Sequence, residues 1–205
     1  YPWMTRVLSF GCDAAWKRRL VEALPVPEAP RCLDLACGNG DLIALMARRH
    51  QDARIVGLDL TFGMLDCACR RADTDGSLFM LGDMAAAGLR DASFDVITVG
   101  YGLRNAPELP RAIDEIVRLL RPGGTLAILE FSRYDNRLAA AVEVALLHAW
   151  GWFWGWLRTR NRDTYGYIAD SLARFPSRSA FHAELVRHGL VIRESRRYFF
   201  GVIEV

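Results

Sequence analysis

Short apolar runs alternate with helix-length stretches along most of the chain. Cys32-Leu33-Asp34-Leu35-Ala36, Ile55-Val56-Gly57-Leu58, Leu78-Phe79-Met80-Leu81 and the β-rich runs 94–99 and 125–131 read as strands. Helical spacing occupies residues 42–49, 64–71 and 109–120, the last stopped by Pro122-Gly123-Gly124. Strands separated by helices predict βαβ units, and hence a mostly parallel α/β sheet covered on both faces.

The two ends differ from this middle. Residues 1–24 read as one or two short helices, cut off by the Pro-rich break Pro25-Val26-Pro27-Glu28-Ala29-Pro30. Near the other end, residues 178–188 read as a helix. Two β-rich runs follow closely, 190–196 and 198–205, so an antiparallel pair fits better than a crossover. Seven strands are expected, with an antiparallel strand at the C-terminus.

Residues 138–157 are almost wholly apolar and carry Trp150, Trp152, Trp154 and Trp156. Their length would suit a membrane span. Glu143 and His148 argue against it, since an ionised group costs roughly 2.5–3.5 kcal/mol near a bilayer centre, and Gly151 and Gly155 weaken a single helix. The expectation is a Trp-rich helical lid over residues 134–180, within one domain spanning 1–205. Such a lid would pack on an apolar substrate or make peripheral contact with the inner face of a membrane.

Composition narrows the classes. Lys plus Arg number 26 and Asp plus Glu 24, a net charge of +2 that gives no sign of a nucleic-acid partner. The five cysteines, Cys12, Cys32, Cys37, Cys67 and Cys69, form no ladder of spacings, so neither a disulfide framework nor a metal site is expected. That usage fits a reducing, cytoplasmic setting. No signal-peptide pattern opens the chain, and its start at Tyr1-Pro2 is consistent with a natural N-terminus upstream.

The chemistry gathers at strand ends. Asp34-Leu35-Ala36-Cys37-Gly38-Asn39-Gly40-Asp41 runs from a strand through a two-glycine turn into a helix, where backbone N–H groups collect and a ligand can approach closely. A dinucleotide fingerprint would need a third glycine, but Ile43 stands there. Asp59 follows Gly40 by 19 residues, at the end of the second strand, where a carboxylate can accept from both ribose hydroxyls. Gly82-Asp83-Met84 ends the third strand, placing a carboxylate for an adenine amino group and a Met for its ring. Together these groups suit S-adenosylmethionine, with Asp34, Ala36, Gly38, Gly40, Asp59, Leu60, Met64, Gly82, Asp83, Met84 and Gly100 as the cofactor-binding set.

Longer elements carry a resemblance. Tyr1, Met4, Ser9-Phe10-Gly11 and Trp16-Lys17, then Gly100-Tyr101-Gly102-Leu103-Arg104-Asn105, Leu120-Arg121-Pro122-Gly123-Gly124 and Leu129-Glu130-Phe131-Ser132 follow one another in order. Tyr165-Gly166-Tyr167-Ile168-Ala169-Asp170-Ser171-Leu172 and Phe175-Pro176 complete the series. In these elements the chain resembles the ubiquinone/menaquinone C-methyltransferase family of class I methyltransferases, the UbiE type, whose corresponding elements read FGLRN, PGG, LEFS and Y-x-Y-L-x-E-S-I. The resemblance implies a Rossmann-like methyltransferase fold and methyl transfer from S-adenosylmethionine to a ring carbon of a quinol or phenol. Asp13-Ala14 stands where the family usually carries His-Arg, Asp170 replaces a common Glu, and Arg133-Tyr134 replaces a Lys-Pro pair. These departures leave open a different phenolic or polycyclic acceptor, C- or O-methylation, and an S-adenosylmethionine-binding protein without transfer activity.

An aromatic carbon becomes nucleophilic when a neighbouring hydroxyl loses its proton, so the acceptor side needs a group that favours the phenolate or takes that proton. Arg104 is the first choice, for electrostatic stabilisation, because a guanidinium is a poor base. Asn105, Tyr165 and Tyr167 follow as orienting groups, with Asp13 and Asp170 as proton acceptors. His148, His182 and His188 read as surface or packing residues. The partner expected is a small quinol or phenol; a homodimer completes the set of expectations.

Overall fold

The structure, a computed structural model, describes residue 9, residues 11–158 and residues 163–205; side chains of residues 151–167 fall outside that description. The chain divides into two compact units, residues 1–130 with residue 205, and residues 131–204.

In the first unit, helix α1 (Asp13–Glu22) precedes strand β1 (Arg31–Leu35), α2 (Asp41–Arg49), β2 (Arg54–Asp59), α3 (Phe62–Cys69), β3 (Leu78–Leu81), β4 (Phe94–Gly100), α4 (Leu109–Leu119) and β5 (Leu120–Phe131). The strands lie in the order β3-β2-β1-β4-β5, all parallel. β1 is central, and Cys32 to Leu35 are all buried, as a parallel strand covered on both faces requires. The order reverses between β1 and β4, and ligands of open α/β sheets bind outside the carboxyl ends of the strands at such a switch point.

Helix α4 shows why the apolar spacing was readable. Ala112, Ile113, Ile116 and Leu119 recur at helical intervals and are fully buried, with Pro110 accommodated in the first turn. β1 stops where Ala36 turns left-handed, at φ 53°. β5 begins earlier than the sequence suggests, because it includes Pro122-Gly123-Gly124 rather than starting after it. The register jumps from Phe94↔Leu120 to Val96↔Thr125, so the glycines form an irregular bulge inside the strand. Gly123 has φ +79°, and a Cβ on Gly124 would sit 2.9 Å from the Arg121 carbonyl oxygen.

The second unit holds α5 (Arg137–Arg158), α6 (Asp163–Arg174), α7 (Arg178–Arg187), β6 (Arg197–Tyr198) and β7 (Ile203–Glu204). Asn136 caps α5 through its side-chain oxygen, which accepts the N–H groups of Leu138 and Ala139 at 2.9 and 3.0 Å. α5 packs on α6. No helix among the described residues is long and apolar enough to cross a membrane.

β6 and β7 pair antiparallel, with Arg197 opposite Glu204 and Tyr198 opposite Ile203. The C-terminal pair expected from sequence is therefore present, but far shorter than the two runs suggested. Residues 190–196 form no strand: Val191 is 82% exposed, and Arg193-Glu194-Ser195-Arg196 offers no apolar side chain to alternate inward. Glu204 instead acts as a hub. Its carboxylate accepts the Ser132 and Ser195 hydroxyls, pairs with Arg178 at 3.0 Å and meets His182 at 2.6 Å. Against the cost of its burial, these partners hold its carboxyl below the usual range.

Candidate functional site

The carboxyl rim of the first unit is built around the turn after β1. Ala36, Gly38 and Gly40 alternate at φ 53°, 55° and 79°, which folds the chain back after β1. The turn is closely fitted. A Cβ on Gly38 would meet the Met64 side chain at 3.3 Å, and one on Gly40 would meet Thr74 and Ala68 at 3.2 and 3.3 Å.

Asp59 ties this turn to the end of β2. One carboxylate oxygen accepts the Gly38 N–H at 2.8 Å, and the other accepts the Thr61 N–H at 2.8 Å. A carboxylate has about four lone-pair directions, so each oxygen retains one for a further donor. Asp83, at the end of β3, uses one oxygen to accept the Ala85 N–H at 2.9 Å and is exposed. Leu60 is 72% exposed beside Asp59, while Met64, Gly82 and Met84 are half-buried around the same rim. The strand ends therefore bring Gly38, Asp59 and Asp83 to one edge of the sheet.

Asp34 lies beneath the turn, 1% exposed, and accepts the Thr98 hydroxyl at 2.6 Å. Burial raises its carboxyl to about 7, with the Thr98 hydrogen bond opposing that rise. Gly100 ends β4 against α2: a Cβ there would lie 3.0 Å from Leu42.

The loop after β4 is where the structure adds most. Tyr101 has φ 59°, a left-handed conformation that costs a non-glycine residue roughly 1–3 kcal/mol and persists only when neighbours over-determine it. Its N–H donates to the Leu129 carbonyl at 2.7 Å. Its own carbonyl accepts Arg104 Nη1 at 2.7 Å and Asn105 Nδ2 at 3.4 Å. The Arg104 guanidinium also sits 5.7 Å from the centre of the Tyr101 ring. Two residues expected to act on the acceptor thus grip Tyr101.

Arg104 is itself held. Its Nη1 pairs with Glu130 Oε1 at 2.7 Å, with the two side chains only 6% and 3% exposed. The Arg104 N–H donates to the other Glu130 oxygen at 3.2 Å. A guanidinium neutralised by a buried carboxylate offers less field to a phenolate than the sequence alone implies.

Asp13, at the start of α1, is one of the charges felt by the Tyr101 phenol. Burial, then the Asp13 carboxylate and hydrogen bonding with it, hold the phenol well above its ordinary range. Asp13 bonds Lys17 at 2.8 Å, and Lys17 bonds Asp41 at 2.9 Å. Asp41 continues to Arg71 at 2.5 Å. Burial disfavours the Lys17 charge, but Asp13 and Asp41 together raise its pKa. This chain of alternating charge fastens α1 to the N-terminus of α2, beside the glycine turn.

Tyr101, which sequence reasoning did not single out, is the residue on whose carbonyl Arg104 and Asn105 converge. Tyr165 and Tyr167, with Tyr1, Met4, Phe10, Trp152, Trp154 and Trp156, lie outside the described residues or side chains. Asp170 belongs to the second unit, exposed and 3.3 Å from His148. Among the described residues no group of three or more His, Cys, Asp or Glu could hold a metal ion.

Comparison with known proteins agrees with this geometry. The ubiE/COQ5 methyltransferase family matches residues 1–205. The ubiquinone/menaquinone biosynthesis C-methyltransferase UbiE of Dinoroseobacter shibae is 35% identical, with 98% of this chain and 82% of that protein aligned. The demethylmenaquinone methyltransferase of Thermus thermophilus is 35% identical over 94% of this chain and 89% of its own length. The 2-phytyl-1,4-naphtoquinone methyltransferase of Thermosynechococcus vestitus is 39% identical over 88% and 78%. Among solved structures, a SAM dependent methyltransferase from Aquifex aeolicus superposes with a TM-score of 0.66 at 12% identity, covering 94% of this chain and 88% of that one. Fold, rim chemistry and full-length similarity converge: the chain belongs to the ubiE/COQ5 methyltransferase family.

Proposed function

We propose that the protein transfers a methyl group from S-adenosylmethionine to a ring carbon of a quinol, as a step in quinone biosynthesis. The observation that carries the cofactor half is Asp59: a buried carboxylate at the end of β2 that organises the glycine turn with one lone pair of each oxygen and keeps the others for ribose hydroxyls. The close fit around Gly38 and Gly40, against Met64, Thr74 and Ala68, fixes the shape of that turn. Asp83 supplies an acceptor for the adenine amino group, with Leu60, Met64 and Met84 as apolar walls. The bound cofactor supplies an electrophilic methyl on a sulfonium. The protein's task is to orient the acceptor carbon, which contributes roughly 7–11 kcal/mol when two reactants are pre-aligned.

The acceptor half rests on the relatives, whose names specify demethylmenaquinone and 2-phytyl-1,4-naphtoquinone as substrates. A prenylated quinol has a long apolar tail, and the apolar residues Leu138, Val142 and Leu146, exposed along α5, support a peripheral contact with a membrane that holds it. The test is labelled-methyl transfer from S-adenosylmethionine to 1,4-naphthohydroquinone and to a membrane lipid extract, with the product located by mass spectrometry and NMR. A new methyl on a ring carbon is expected. A methyl found on oxygen, or no transfer to any quinol, refutes the reading.

A further inference from the structure

The β6–β7 hairpin of the second unit is firm at its base and bare at its tip. At the base, Glu204 joins Ser132, Ser195, Arg178 and His182, and the Ser132 N–H donates to the Val202 carbonyl at 2.8 Å. At the tip, Phe199, Phe200 and Gly201 are all left-handed, at φ 51°, 57° and 96°. Glycine accepts that backbone readily, whereas two successive phenylalanines adopt it only when their surroundings impose it. The Tyr134 hydroxyl does so here, by donating to the Phe200 carbonyl. The Phe199 and Phe200 rings meet edge-on, with centroids 5.9 Å apart. Phe200 is nevertheless 92% exposed, so packing within the chain does not explain a phenylalanine at that position.

The charge around the tip is mostly positive. Arg197, exposed, lies two residues before Phe199, and Arg137, also exposed, lies three residues after Tyr134 in the first turn of α5. The nearby acids are already engaged: Glu194 pairs with Arg196, and Asp135 accepts the N–H and hydroxyl of Ser179. Resting on the prenylated-quinol reading above, we propose that the Phe199-Phe200 tip anchors the protein to an anionic bilayer, with the rings entering the lipid surface and Arg197 meeting the phosphates.

Two observations favour lipid as the occupant. Two rings at a protruding tip fall well short of the roughly 800 Å² per partner that a stable protein interface buries. Attachment to a bilayer, by contrast, adds up from small apolar insertions and single basic residues. The tip also adjoins the helix already read as touching the membrane. Tyr134, which holds the Phe200 carbonyl, leads into α5, and the exposed stripe Leu138, Val142, Leu146 begins four residues later. The lipid contact of α5 thus has a neighbour built on a rigid base.

The test is flotation of the protein with vesicles of phosphatidylglycerol and phosphatidylcholine, and of phosphatidylcholine alone. The parent should bind the anionic vesicles more tightly, and less so as salt rises. Phe200→Asn puts a polar residue that tolerates the left-handed backbone in place of the ring. It should weaken vesicle binding about tenfold or more, the contribution of one buried phenyl ring, with no loss of stability in urea. Arg197→Gln should weaken it about fivefold, the contribution of one basic residue at an anionic surface. Turnover of soluble 1,4-naphthohydroquinone should be unchanged in Phe200→Asn, while turnover of a prenylated 1,4-naphthohydroquinone held in the vesicles falls. Parental vesicle binding by Phe200→Asn, or equal binding of the parent to both lipid compositions, overturns the proposal. So does a parent that ignores vesicles but self-associates through Phe200, which would make the tip an interface between copies. A parent that binds vesicles through Phe200 yet methylates no quinol leaves the anchor standing and overturns the proposed function instead.

Discussion

The buried Arg104–Glu130 pair allows a sharp test of how the rim is held. Glu130→Ala removes the carboxylate that accepts both Arg104 Nη1 at 2.7 Å and the Arg104 N–H at 3.2 Å. Neither side chain is more than 6% exposed, so water cannot readily replace the lost partner. Hydrogen bonds to a charged group contribute about 1.5–3 kcal/mol each, and breaking a buried pair from one side costs about 3–5 kcal/mol. The expected loss in unfolding free energy, from urea titration, is therefore about 3–5 kcal/mol. Exposed pairs contribute about 0–1 kcal/mol and fade with salt; this loss should persist at high salt. The double variant Arg104→Met, Glu130→Ala should recover much of the stability, because no unpaired charge is left inside. It should not recover activity, since Tyr101 loses the guanidinium that holds its carbonyl and ring. A single-variant loss below about 1 kcal/mol would place the pair in the exposed class, and a double variant no more stable than Glu130→Ala would show packing rather than charge to be the cause. Either result refutes the reasoning.

Three further outcomes follow from the same geometry. Asp59→Ala should weaken S-adenosylhomocysteine binding by tenfold or more, about 1.4 kcal/mol, by calorimetry; an unchanged Kd would remove Asp59 from the ribose site. Gly38→Ala should cost about 1–2 kcal/mol for its left-handed backbone and also weaken the cofactor, whereas Gly76→Ala, left-handed at φ +81° but facing open space, should cost stability alone. Asp34 binds its proton more tightly folded than unfolded, with a folded value of about 7, so its stabilising contribution is full below the unfolded carboxylate range and falls as pH rises toward 7. Asp34→Asn should remove that fall, making the variant relatively more stable than the parent at pH 8 than at pH 4; a difference that does not change with pH would show that Asp34 titrates normally.

The parallel sheet was legible because β1, β2 and β4 are buried on both faces and read as continuous apolar runs, punctuated by Gly and Asp where they leave the sheet. The end of the chain was less legible. Residues 190–196 have strand-forming residues at Val191 and Ile192 but no inward partner, and β propensity alone does not make a strand. Pro122-Gly123-Gly124 looked like a terminator, and its use inside β5 depends on a tertiary register that no local pattern reports. For the site, carboxylates at strand ends could be found by spacing. The pairing of Arg104 with Glu130 could not, because it joins residues from different elements and depends on how the loop after β4 meets β5.

That pattern of pairing has an electrostatic consequence. Around the rim, Asp13, Asp41 and Asp73 alternate with Lys17, Arg71 and Arg48 in one connected series, and Glu130 is matched by Arg104. Asp59 differs: the partners that meet its two oxygens are backbone N–H groups, neutral donors that leave its charge in place. Asp83, too, accepts a backbone N–H. Charge that is matched by a neighbouring cation does not reach a ligand, whereas charge held only by amides does. The rim therefore leaves carboxylates unmatched by a cation at the ends of β2 and β3, where the proposed function puts the hydroxyl and amino donors of a nucleoside. Acids mutated within the matched series should chiefly alter stability and the seating of α1, while acids mutated at β2 and β3 should chiefly alter the affinity for a positively charged nucleoside.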